Sequence, residues 1–115
     1  MKILIAEDEF TNRKLMEIKL SRAGIDFDAA ENGAKAIEMF NRGSYSVVVL
    51  DQYMPGMNGN RVAQEIRKKD KNVPIIGITS DESQKNQMID DGFTDVFIKP
   101  LLNQDYIATL KEYLR

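Results

Sequence analysis

The chain has 115 residues, 43% of them hydrophobic, a net charge of −2, and neither cysteine nor histidine. That length suits one domain with its own core and is short for two, and the charge gives no bulk pull toward nucleic acid or an anionic membrane. The missing side chains exclude disulfides, thiolate catalysis, Cys-based zinc or iron–sulfur sites, imidazole acid–base catalysis and a phosphohistidine on this chain.

Ile3–Ala6 is a short apolar run with β-branched residues and predicts a strand. The segment behind it predicts a helix, with Met16, Leu20 and Ala23 on one side by i, i+4, i+7 spacing and Leu15 and Ile18 off that stripe. Lys19 lies near the stripe, where its stem can snorkel. Phe27–Ala30 predicts a second, weaker strand, and Val47–Leu50 a third. Pro74, where a helix could not continue, precedes a fourth strand at Ile75–Ile78. Gly77 inside that strand either weakens it or lets a neighbour come close. Asp81 and Asn103 are predicted N-caps, and Val96–Ile98 is the fifth strand, with Pro100 behind it. Gly24, Gly43 and Gly92 each close a helical segment and are expected to be left-handed there. No apolar run is long enough to span a membrane. The start, "MKILIAEDE", turns acidic too early for a signal peptide, so a cytoplasmic protein is expected.

Five strand–helix units in alternation predict an α/β fold, an open doubly wound parallel sheet with helices on both faces. The first, third and fourth runs are almost wholly apolar, so they belong in the centre. Ligands in such sheets sit at the carboxyl ends of the strands. Those ends carry Glu7, Asp8 and Glu9 after the first strand, Asp51 after the third, Thr79, Ser80 and Asp81 after the fourth, and Lys99 after the fifth. In "VVVLDQYMPGMNG" an aspartate directly follows four apolar residues. A carboxylate at the mouth of a core is costly unless something compensates it. Each of these residues alone has a plain reading as a cap, a turn residue or a solvated charge. Their coincidence at one sheet edge favours a site. Clustered carboxylates repel one another, and Lys99 offsets only one charge. A hard divalent cation would offset the rest. Magnesium suits one or two carboxylates with waters and phosphate oxygens. Asp8 and Asp51 are the candidates for direct ligands, Glu7 for a water-mediated one, and the loop after Asp51 for a backbone carbonyl.

"AEDE", "VLDQYMPGMNG", "IGITS" and "FIKPL" stand in the order and spacing of response-regulator receiver domains. The chain resembles that family over essentially its whole length, and most closely the receivers of hybrid sensor kinases and single-domain receivers. The resemblance implies a flavodoxin-like five-stranded sheet of order 2-1-3-4-5. It implies that Asp51 accepts a phosphoryl group from a phosphohistidine donor, a histidine kinase or a histidine phosphotransfer protein. Glu7 and Asp8 would be the acidic pair that holds Mg²⁺, with the backbone carbonyl of Tyr53 as a further ligand. Thr79 would hydrogen-bond the phosphoryl group, Lys99 would neutralise it, and the Lys99–Pro100 bond would be cis. Self-catalysed phosphotransfer and autodephosphorylation follow, without turnover of an external substrate. The expected partners are the donor and a downstream target, with no direct contact to nucleic acid or membrane, in a monomer or weak dimer. The loose transition state of phosphoryl transfer asks for this equipment: in-line positioning, and cations on the peripheral oxygens.

One position departs from the family pattern. Receivers commonly carry Tyr or Phe three residues before the lysine, and here that residue is Val96. Phe97 cannot replace it, because neighbouring strand residues face opposite ways. Three other functions fit less well. A haloacid-dehalogenase-like phosphatase needs a second Asp where Tyr53 stands. A nucleotide or flavin site needs a Gly-, Ser- or Thr-rich turn where "EDEFTN" stands. A phosphorylation-independent docking module would not need the acceptor equipment.

Overall fold

The computed structural model describes residues 2–99 and 105–114. Its five strands are β1 (Lys2–Ala6), β2 (Asp26–Ala30), β3 (Val47–Asp51), β4 (Ile75–Thr79) and β5 (Asp95–Ile98). All neighbours pair in parallel, in the order β2-β1-β3-β4-β5. The helices are α1 (Phe10–Arg22), α2 (Gly33–Arg42), α3 (Gly59–Arg67), α4 (Lys85–Asp90) and α5 (Asp105–Leu114). The fold is the flavodoxin-like doubly wound sheet. Among the described residues no helix is long and apolar enough to cross a membrane.

Strand alternation divides the interior in two. Ile3, Ile5, Val47, Val49, Ile76 and Ile78 pack with Met16 and Leu20 of α1 and Tyr106, Ile107 and Leu110 of α5. Leu4, Val48, Leu50, Ile75 and Val96 pack with Ala36 of α2, Val62, Ala63 and Ile66 of α3, and Met88 of α4. Of the predicted stripe, Met16 and Leu20 are buried and Ala23, the residue that caps the end of α1, is partly buried against the same cluster, whereas Leu15 and Ile18 are exposed. Lys19 lays its ammonium 5.5 Å from the Tyr106 ring centre. Phe97 joins the α1–α5 side, edge-on to Tyr106 at 6.4 Å, and Val96 is buried on the opposite side.

Gly77 admits a close neighbour. A Cβ there would lie 2.5 Å from Met88 Cε and 2.7 Å from Phe93 Cδ1. Gly24 and Gly92 adopt left-handed φ of 72° and 118°. Gly43 does not: at φ −110° and ψ −173° it ends α2 in an extended conformation. Its glycine answers a different need, since a Cβ would sit 2.8 Å from the Tyr45 ring. The segment after Asp81 is shorter than a full helix. A 3-10 turn at Glu82–Gln84 leads into a six-residue α4. The polar run "ESQKNQ" supplies little to bury, and only Met88 of α4 is buried. The proposed Asn103 cap and the Pro100 stop, with the Lys99–Pro100 bond, lie outside the described residues.

Candidate functional site

Sheet register brings the four strand ends together. Ala6 pairs with Leu50, Asp51 with Ile78, and Thr79 with Ile98. Glu7, the last residues of β3 and β4, and Lys99 therefore share the carboxyl edge. The backbone ties them there: Gln52 N–H donates to the Ile78 carbonyl at 2.8 Å and Lys99 N–H to the Thr79 carbonyl at 2.8 Å.

Glu7 and Asp51 are buried, and Asp8 is less so. Carboxylate oxygens of Glu7, Asp8 and Asp51 lie within 4.8 Å of one another. Lys99 Nζ reaches Asp51 Oδ2 at 3.0 Å and Glu7 Oε1 at 3.5 Å. Burial, then the hydrogen bond and charge of Asp51, push the Glu7 carboxyl up to about 7. Burial disfavours the Lys99 charge, but its hydrogen bond to Asp51 and the charges of Asp51 and Glu7 outweigh this and raise its pKa. This donor set fits a hard divalent cation. Three carboxyl groups converge, one of them ionising only against resistance, and one ammonium answers them.

Thr79 is buried at the end of β4. Alternation along Ile75, Gly77 and Thr79 turns it toward the side of the sheet that carries α3 and α4. Its hydroxyl donates to Gln52 Oε1 at 2.6 Å and accepts from the Asp81 N–H at 3.1 Å. Asp81 caps the 3-10 turn, with Oδ1 accepting from Ser83 N at 3.0 Å and from Ser83 Oγ at 2.6 Å. Tyr53 is 83% exposed. It stands at the rim of a cleft of about 580 Å³ that runs past Gln52, Thr79 and Gln84.

Three supports were not foreseen from the sequence. Arg13 on α1 donates to the carbonyls of Glu7 at 2.9 Å and Asp8 at 3.4 Å, gripping the backbone of the acidic pair. Glu9 takes no part in the carboxylate cluster; its side chain caps α1 on the Asn12 N–H at 2.6 Å. Gly59 starts α3 against the end of β3, where a Cβ would lie 2.5 Å from the Asp51 carbonyl oxygen. The glycine of "MNG" was a visible signal for that close approach. The third support is a set of carboxamides, Gln52 and Asn60 among them, beside Thr79.

The sequence matches the response regulator receiver domain model over residues 3–111. It is 37% identical to the probable transcriptional regulator ycf27 of Porphyridium aerugineum, a match covering 99% of this chain and 48% of that protein. The chain thus spans about half the length of the curated relatives it matches first. Among solved structures, the response regulator protein TrrA of Thermotoga maritima, in complex with Mg²⁺-BeF, superposes with a TM-score of 0.90 at 33% identity over 97% of each chain. TrrA in complex with the histidine kinase ThkA matches at a TM-score of 0.89, again at 33% identity, over 99% of this chain and 98% of that one. Sheet order, the converging carboxyl edge and the family match over nearly the full length agree, and the chain belongs to the response regulator receiver domains.

Proposed function

We propose that Asp51 is the phosphoacceptor of this receiver domain and that residues 1–115 form one such domain, working in the cytoplasm. The observation that carries the reading is the buried Asp51 carboxylate held 3.0 Å from Lys99, with Glu7 and Asp8 oxygens within 4.8 Å. In the step, an Asp51 carboxylate oxygen attacks phosphorus and forms an O–P bond. The N–P bond of a phosphohistidine breaks, and the imidazole leaves with the bonding pair and takes up a proton. Lys99 faces the peripheral phosphoryl oxygens with its ammonium, and Thr79 offers its hydroxyl. Glu7, Asp8, Asp51 and the Tyr53 carbonyl are the groups that would hold Mg²⁺. When bound, the ion neutralises charge on the acidic group and on the transferring phosphoryl.

The donor is a histidine kinase or a histidine phosphotransfer protein. The TrrA–ThkA complex supports a kinase partner for receivers of this kind. Leu15 and Ile18, 51% and 46% exposed on α1, offer the apolar contact. Acetyl phosphate with Mg²⁺ should label the chain with one base-labile and hydroxylamine-labile phosphoryl group. Labelling that persists in EDTA would contradict the role given to the acidic pair.

A further inference from the structure

A chain of three hydrogen bonds leads from Thr79 to the surface between α3 and α4. Thr79 Oγ1 donates to Gln52 Oε1 at 2.6 Å, Gln52 Nε2 to Asn60 Oδ1 at 3.1 Å, and Asn60 Nδ2 to Asp91 Oδ2 at 2.8 Å. Asn60 is buried. The second Gln52 N–H bond goes to Gln84 Oε1 at 3.2 Å, so that carboxamide is occupied on three sides. The other Asp91 oxygen accepts from Gln64 at 3.0 Å and Gln87 at 3.2 Å, both exposed.

The chain has a direction. An ionised carboxylate can only accept, so Asp91 turns the Asn60 amide nitrogen toward itself. The bond from Asn60, with those from Gln87 and Gln64, outweighs burial and holds the Asp91 carboxyl below its ordinary range. The Asn60 oxygen then faces Gln52 and needs a donor there. That turns the Gln52 nitrogen to Asn60 and the Gln52 oxygen to Thr79. Thr79 must donate to Gln52, and its proton points away from any group at Asp51. Such aligned bonds reinforce one another. Val96, buried and aliphatic, adds no polar group on this side of the sheet.

We propose that Gln52, Asn60 and Asp91 are positioning residues that hold the Thr79 hydroxyl off the acceptor and carry its release to the α3–α4 surface. The proposal rests on Asp51 being the phosphoacceptor. When Thr79 donates to a phosphoryl oxygen instead, Gln52 Oε1 loses its donor. The Gln52 carboxamide then turns, its bonds to Asn60 and Gln84 change, and Asp91 passes the change to Gln64 and Gln87. Linkage makes the coupling reciprocal, so a change at Asp91 must also be felt at Thr79.

Two comparisons by ¹H–¹⁵N NMR on the full chain test this. In the unphosphorylated protein, Asp91→Ala should shift the Gln52 side-chain amide and the backbone amide of Asp81, which bonds Thr79 Oγ1. If both resonances stay within a linewidth of wild type, the relay is overturned, whatever happens at Asp51. In the second comparison, acetyl phosphate with Mg²⁺ should shift the side-chain amides of Asn60, Gln64 and Gln87 in wild type. Asn60→Leu, close in volume but unable to bond, should still take the label, while its amide shifts over residues 87–91 fall by more than half. A full shift there in a labelled Asn60→Leu protein would overturn the proposal. Should Asn60→Leu fail to fold, the Asp91→Ala comparison decides alone, since Asp91 is a partly exposed cap position. A wild-type chain that takes no label overturns the acceptor reading, and the first comparison still decides whether the relay exists.

Discussion

Lys99 Nζ donates a 3.0 Å hydrogen bond to Asp51 Oδ2, joining two residues 48 apart in the chain. With Asp51 as the proposed acceptor, the bond places the ammonium on the acceptor oxygen before any phosphoryl group arrives. Lys99→Ala removes that charge. Phosphotransfer from acetyl phosphate should slow at least roughly tenfold, on the scale of losing one preorganised donor to a developing anion. Mg²⁺ affinity should stay the same or rise, because a cation that competes for Asp51 is gone. Titration of metal against labelling rate in the variant separates the two effects. A marked loss of Mg²⁺ affinity would count against Lys99 acting on the phosphoryl group.

Glu7 gives a pH dependence with a definite sign. Its carboxyl in the fold is raised from an ordinary 4.5 to about 7, chiefly by burial and then by Asp51. The fold therefore favours the protonated form. Its contribution to stability is complete below about pH 4.5 and is lost as pH rises through about 7. Glu7→Gln stays neutral throughout. In EDTA, urea denaturation should find the variant gaining on wild type from about pH 5 to about pH 8, by up to roughly 3 kcal/mol. Excess Mg²⁺ should narrow the gap, since wild type keeps the carboxylate. Parallel stability profiles in EDTA would contradict the burial of a charged Glu7.

Most of the carboxyl edge was legible from the sequence. Asp51, Thr79 and Lys99 each follow an apolar run, and parallel winding leaves such positions little choice of edge. The register between Ala6 and Leu50 and between Thr79 and Ile98 turned that adjacency into distances. Gln52, Asn60 and Asp91 were not legible, because side-chain bonds spanning 8 and 31 residues leave no periodic trace. Arg13 was hidden for a related reason: its guanidinium grips backbone carbonyls, which any residue supplies. Gly43 shows how one residue type answers two needs. Helix ends favour a left-handed glycine, yet here the Tyr45 ring alone excludes a Cβ.

Leu15 and Ile18 are about half exposed and belong to neither core cluster, so their truncation should cost the fold little. Leu15→Ala with Ile18→Ala should slow transfer from a phosphorylated histidine phosphotransfer protein and leave acetyl phosphate labelling unchanged. Rates measured with the two donors side by side check this. Equal loss with both donors would point to a structural role instead.

The lifetime of the acyl phosphate depends on how water reaches it. Asp81 spends Oδ1 on the Ser83 amide and hydroxyl and so is poorly placed to orient water. Of these two positions, Tyr53, whose side chain is exposed and lines the cleft, is then the one proposed to shield the phosphorus. Tyr53→Ala should hasten dephosphorylation, by up to about tenfold, equal to about 1.4 kcal/mol of barrier. Decay followed at fixed Mg²⁺ after donor removal tests it. Unchanged or slower decay would mean that Tyr53 does not shield the phosphorus.

The identity of the acceptor atom is tested most directly by trapping. After reaction with acetyl phosphate and Mg²⁺, borohydride reduces an aspartyl phosphate to homoserine, and peptide mass spectrometry locates the converted residue. Conversion is expected at Asp51 alone, and no conversion is expected in Asp51→Asn, whose near-isosteric side chain keeps the fold. Homoserine at another aspartate in wild type, or undiminished labelling of Asp51→Asn, would contradict the assignment.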